Sequence, residues 1–255
     1  MKIALIGAGN LATNLGKAVK KAGHEVLEVF SRTEESASTL ASTLGCPFTT
    51  DLQMLTSDAD IYIISVKDSV LEPVAMDAVK GREGKLFVHT AGSMPLTSIP
   101  NERRGVFYPM QTFSKQKEVD FSIIPCFVEA AMEEDRDLLV QLGKSISNTV
   151  RELSTDDRKY LHLSAVFCCN FVNHCYALSE KILKEHGGVP FDVMLPLVEE
   201  TFNKVKTHSP RTVQTGPAVR WDENVIRKQE ALLAKDETMQ AIYKLLSKSI
   251  HDDQL

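Results

Sequence analysis

The sequence predicts an α/β fold, with a Rossmann-like doubly wound sheet over residues 1–153 and an all-helical part over residues 154–255. Three observations carry that expectation. A short apolar strand, residues 2–6, runs directly into Gly7-Ala8-Gly9-Asn10-Leu11-Ala12 and an amphipathic stretch through Lys20. Short apolar runs then alternate with helical patterns over about the first 150 residues, the signature of βαβ units and a mostly parallel sheet. Beyond Leu153 the pattern is helical throughout.

Taken in order, strands are expected at residues 2–6, 25–30, 47–49, 61–66, 86–89, 106–108, 123–129 and 149–153. Helices are expected at 11–20, 34–44, 69–79 and 133–146. Pro73 falls in the first turn of the third, where a missing N–H costs little. Ser154-Thr155-Asp156-Asp157 is a helix-start cluster, and no breaker follows between Arg158 and Glu185. Apolar residues surround that long helix on almost every side, so it is expected to be buried on several faces. Gly187-Gly188 ends it. A helix over 191–205, a loop over 207–217 and two shorter helices, one from about Asp222 and one capped at Asp236, complete the second half.

With 43% hydrophobic and 25% charged residues, the composition is that of an ordinary globular protein. A formal net charge of −5 gives no general attraction to nucleic acid or anionic membrane. No apolar run approaches the ~20 residues that span a bilayer. The opening residues superficially imitate a signal peptide, but Gly7, Gly9 and Asn10 interrupt it, and a cytoplasmic protein is expected. The five cysteines include no C-x-x-C pair. Cys168, Cys169 and Cys175 are expected to be buried free thiols rather than a metal cluster, because adjacent cysteines point about 100° apart on a helix.

The glycine run carries the most specific chemistry. Gly7 permits a tight turn, Gly9 has no Cβ to block a pyrophosphate, and small Ala12 lets the helix pack on the strand. The free N–H groups of Asn10, Leu11 and Ala12 at the helix start then face the anion. The second strand ends Phe30-Ser31-Arg32-Thr33, where an NAD site places an acid for the ribose 2′-OH. Two hydroxyls and a guanidinium suit a 2′-phosphate instead, so the expected cofactor is NADP. The bland alternative is a surface arginine in a βα loop.

Ligands in open α/β sheets bind outside the carboxyl ends of strands. Ser65, Val66 and Lys67 after the fourth strand, and Thr90 and Ala91 after the fifth, are therefore expected to border the ribose and nicotinamide. Lys67 reads equally as a solvated side chain, and His89 as a structural histidine before a proton donor. Asn170, Asn173 and His174 fall within a ~100° stripe on the long helix. Such a stripe either lines a wet cleft between the two halves or bonds neighbouring backbone, and the cleft is the expectation. Arg220 could clamp an anionic substrate, while Asp222 looks like a plain N-cap.

Together these residues resemble the Rossmann-like proteins that carry a DUF2520 domain, described as NADP oxidoreductases. The resemblance covers nearly the whole chain. Its most specific pieces are residues 7–12, Ser31-Arg32-Thr33, His89-Thr90-Ala91-Gly92-Ser93, Met110-Gln111-Thr112-Phe113, Asn170-Phe171 and Thr215-Gly216-Pro217 with Arg220 and Asp222. More distantly the chain is similar to pyrroline-5-carboxylate reductase, through Val66-Lys67, and to the F420-dependent NADP reductases. Those relatives imply a Rossmann domain, a helical domain of the 6-phosphogluconate-dehydrogenase C-terminal type, and a dimer. Tyr108-Pro109 stands where relatives commonly have His-Pro, and Trp221 where they have a small residue.

The expected function is hydride transfer between NADP(H) and a small substrate held between the domains, with Asn170 or His174 polarising it or transferring a proton. Two alternatives stay open: a redox sensor that holds NADP(H) without catalysis, and a reductase coupled to flavin or F420. A homodimer built through the second half is expected, because a helix apolar on most faces exceeds what a domain of ~100 residues can cover. No metal site is expected.

Overall fold

A computed structural model describes residues 1–252. The chain divides into two compact units, Met1–Val166 and Phe167–Leu255.

The first unit is an eight-stranded sheet of order β3-β2-β1-β4-β5-β6-β7-β8. Its strands are β1 (Lys2–Ile6), β2 (Glu25–Phe30), β3 (Phe48–Thr49), β4 (Ile61–Ile64), β5 (Leu86–His89), β6 (Arg104–Pro109), β7 (Cys126–Ala130) and β8 (Val150–Glu152). Helices α1 (Asn10–Lys21), α2 (Glu34–Leu44), α3 (Leu71–Val79) and α4 (Glu133–Ile146) connect them, and α5 (Thr155–Ala165) follows the last. Strands with apolar residues at every position are buried on both faces, as parallel sheets require. Ile3, Leu5, Ile61, Ile63 and Val88 pack with Leu15 of α1, Leu40 of α2 and Leu139 of α4. The alternate residues Ala4, Ile6, Tyr62, Ile64 and Phe87 pack on the other face with Leu71, Ala75 and Ala78 of α3.

The sheet is mostly parallel, as expected, with one antiparallel pair. β6 and β7 are antiparallel, with Val106 opposite Glu129 and Tyr108 opposite Phe127. β8 is parallel to β7, so the last two strands run against the first six. The connection over residues 110–125 carries one short helical turn, Phe121–Ile123, and returns β7 alongside β6 in the opposite direction.

The first compact unit extends through Val166 and so includes α5, which is anchored to the sheet. Arg158, 1% exposed, pairs with Glu129 of β7 and donates to Met94 O at 2.7 Å. Glu129 also accepts from Thr155 N at 3.0 Å and Thr155 Oγ1 at 2.8 Å, placing a carboxylate at the helix N-terminus.

The long helix expected from Arg158 onward is present, its backbone helical without a gap over residues 155–185. A π turn, Val166–Phe171, joins α5 to α6 (Val172–Glu185). The expected burial fails within the single chain: Phe167 is 61% and Phe171 51% exposed, and no residue of α6 is buried. Cys168 and Cys175 are exposed and Cys169 is half-buried, so the thiols are not the small core residues expected. Helices α7 (Leu195–Thr207), α8 (Glu223–Leu232) and α9 (Glu237–Asp252) follow. Asp222 caps α8 through Val225 N, and Asp236 accepts from Met239 N at 2.9 Å. Trp221 adopts a left-handed backbone (φ 49°), and its ring meets that of His251 at a tilt of 32°, centroids 4.8 Å apart. No helix among the described residues is long and apolar enough to cross a membrane.

Candidate functional site

The crossover direction reverses between β1 and β4, and the glycine turn lies at that switch point. Gly7 holds φ +114° and donates to Phe30 O at 2.8 Å. A Cβ there would sit 2.2 Å from Ser65 O, so only glycine fits. Gly9 is the N-cap of α1, and a Cβ there would meet nothing within 4 Å. The space a Cβ would fill is open. No side chain caps α1, and its first turn holds no acid. The first N–H groups of Asn10, Leu11 and Ala12 lack intrahelical partners by helix geometry, while Ala12 itself is wholly buried against the sheet. An open cradle at an uncapped helix start fits a pyrophosphate.

Around it the sheet brings together most of the expected cofactor residues. Ser65 N donates to Ile6 O at 2.7 Å, and Thr90 N to Ile64 O at 3.2 Å, which carries the carboxyl edge from β1 through β4 to β5. Val66 and Ala91 pack on the second core cluster beside it. Ser31 is half-buried, while Arg32 and Thr33 are exposed at the start of α2, whose N-cap is Thr33 with no side-chain bond. Among the described residues Arg32 makes no ion pair, which leaves its guanidinium available. Lys67 is exposed and starts a short turn whose Asp68 carboxylate accepts from Ser93.

His89 is a structural histidine. It is fully buried, its Nδ1 accepts from Ala91 N at 3.2 Å and its Nε2 lies 3.2 Å from Pro95 O. Burial and then the nearby Arg158 push its pKa down to about 4, so it is neutral at pH 7.

Beyond these, the edge carries a pair that sequence reasoning missed. The Tyr108 hydroxyl lies 3.1 Å from His162 Nδ1, with the rings edge-on at 6.1 Å. Tyr108 is the penultimate residue of β6 and is 8% exposed, and burial holds its phenol pKa up. Gly92 makes room for both, since a Cβ there would be 2.7 Å from His162 Nδ1 and 2.9 Å from Tyr108 Cζ. The antiparallel turn of β7 explains the delivery. Arg158 engages Glu129, which lies level with Val106, and α5 then climbs towards Tyr108. Four helical residues rise ~6 Å and two strand residues ~6.6 Å, so His162 arrives level with Tyr108. The available signal was weak: a histidine one turn after a buried arginine.

Asn170 and His174 belong to the second unit. Asn170 lies in the π turn and His174 in the first turn of α6, and both are exposed, as is Asn173. Because a π turn advances by more than four residues per turn, the stripe drawn at 100° per residue does not hold across it. Arg220 is exposed, and Asp222 is the N-cap it was expected to be.

Residues 124–250 match the domain of unknown function DUF2520, and residues 2–92 match the NADP oxidoreductases dependent on coenzyme F420. A structure from Bacteroides fragilis, described as a candidate NADP oxidoreductase, is 51% identical over 98% of each chain, with a TM-score of 0.92. The chain belongs to the DUF2520 family of Rossmann-like proteins. Two remoter structures share the fold of this DUF2520 protein. An imine reductase from Myxococcus stipitatus in complex with NADP+ is 15% identical over 98% of this chain and 93% of its own, TM-score 0.70. A pyrroline carboxylate reductase from Plasmodium falciparum with NADP bound is 10% identical over 98% of each chain, TM-score 0.62. No curated protein matches the sequence.

Proposed function

We propose that this DUF2520 protein is an NADP(H)-dependent oxidoreductase acting on a small substrate. The observation that carries the reading is the open cradle at Gly9 beside an uncapped helix start, with Gly7 locked against Ser65. The 51% identical Bacteroides protein and the match of residues 2–92 to NADP oxidoreductases support it.

Asn10, Leu11 and Ala12 hold the pyrophosphate through backbone N–H groups, and Ser31, Arg32 and Thr33 hold the 2′-phosphate. Ser65, Val66, Lys67, Thr90 and Ala91 border the ribose and nicotinamide. NADPH, when bound, supplies the hydride. Asn170 and His174, exposed on the second unit, provide polar groups for the substrate. The second unit also forms a homodimer, which accounts for the bare apolar side chains of Phe167, Phe171, Leu197 and Phe202.

The test is NADPH binding by fluorescence, followed by NADPH oxidation with a panel of cyclic imines and carbonyl compounds and with F420 or flavin as acceptor. Binding with turnover of one of these is expected. Tight binding with no turnover of any would make the protein a sensor, and no binding would overturn the reading altogether.

A further inference from the structure

We propose that His162 carries the proton exchanged with the substrate, and that Tyr108 positions it. This rests on the reading above and adds to it a residue of the first unit.

Contacts run unbroken along the carboxyl edge of the sheet from the phosphate turn to His162. Gly7 abuts Ser65, Ser65 follows β4, Thr90 bonds back to β4, and Gly92 meets both Tyr108 and His162. From β1 to β6 is three strand spacings, ~14 Å, along the edge where nucleotide ligands lie. Several features show that the place of His162 is built. Gly92 has no Cβ to collide with it, Tyr108 bonds its Nδ1, and the buried Arg158 fixes the helix one turn earlier.

Burial keeps Tyr108 a phenol, and when His162 is an imidazolium its Nδ1–H donates to the phenol oxygen 3.1 Å away. That hydrogen bond leaves Nε2 as the nitrogen that gains and loses a proton. In the reductive direction the C=N or C=O π bond breaks and hydride forms the new C–H bond. The electron pair moves to nitrogen or oxygen, which takes the Nε2 proton of the imidazolium and leaves neutral imidazole. Bulk water then restores the proton. Tyr108 of β6 faces His162, while Arg158, one turn earlier on the same helix, pairs with Glu129 of β7 and lies near neutral His89 of β5. The substrate class that follows is a small imine or carbonyl compound whose heteroatom must be protonated as hydride arrives.

The experiment needs no substrate. The nicotinamide ring is cationic in NADP+ and uncharged in NADPH, so an imidazolium beside it disfavours only the oxidised form. Dissociation constants for both nucleotides are measured from pH 5.5 to 8.5, and effects on their shared phosphates cancel in the ratio. The NADP+/NADPH ratio is expected to be roughly tenfold higher at the acid end and flat with pH in His162→Gln. Tyr108→Phe removes the hydrogen-bond partner of Nδ1, so the pH profile of the ratio should differ from that of the wild-type protein. A flat ratio in the wild-type protein, an unchanged step in His162→Gln, or an unaltered profile in Tyr108→Phe overturns the corresponding assignment. Failure to bind either nucleotide overturns the cofactor reading itself, a result distinct from tight binding with a flat ratio.

Discussion

Gly7 and Ser65 meet so closely that a single methyl group would separate them. A Cβ on Gly7 would stand 2.2 Å from the Ser65 carbonyl oxygen, whereas one on Gly9 would touch nothing in the protein. The two glycines therefore answer different questions. Gly7→Ala should lower stability by about 2–5 kcal/mol, from backbone strain and the clash. Gly9→Ala should change stability by less than about 1 kcal/mol and yet weaken NADPH binding by roughly tenfold or more, because the methyl enters the space left for the pyrophosphate. Thermal unfolding and nucleotide titration on both variants decide it. Unweakened binding in Gly9→Ala would place the phosphates elsewhere.

Arg32→Ala should cost about 1.5–3 kcal/mol of NADPH binding, the worth of a hydrogen bond to a charged group. NADH affinity should hardly change. Calorimetry with the two cofactors checks this, and equal weakening of both would remove Arg32 from the 2′-phosphate.

His89 should give the fold a measurable acid sensitivity. Its folded pKa of about 4 lies below its ordinary 6.5, so the unfolded chain binds the extra proton between those values. Stability from this residue is complete above about pH 6.5 and falls as pH drops towards 4, by about 3 kcal/mol in total. Urea unfolding between pH 4 and 7 should show that slope, and His89→Gln should flatten it.

Arg158→Met should destabilise the first unit by about 3–5 kcal/mol, because Glu129 is left without its cation. Pairing it with Glu129→Gln should recover part of the loss. A double variant no more stable than Arg158→Met in urea unfolding would show that the stranded carboxylate is not the cause.

Much of this was legible in the sequence, and the parts that were not share a reason. Strand β1, the glycine turn and the α1 start are written in adjacent residues, so local pattern reveals them. Apolar content around Cys126–Ala130 marks a strand but carries no direction, and the reversal against β6 shows only in the pairing. A π turn differs from a helix by one hydrogen-bond step, which leaves no compositional mark at Val166–Phe171. Tyr108 and His162 stand 54 residues apart, and only the fold joins them. The sequence comparison that places Tyr108 where relatives have histidine argued against an imidazole at that point. The structure supplies one from α5 instead.

The two outermost strands of the sheet are also its shortest. β3 spans two residues and β8 three. An intruding chain seeking to extend the sheet would find one or two free backbone pairs at either border, with Arg151 and Glu152 exposed along one of them. Such borders are poor templates for strand addition. Cross-β aggregation seeded from the native sheet is thereby discouraged, and a concentrated preparation should stay clear of fibrils for as long as the eight strands remain paired.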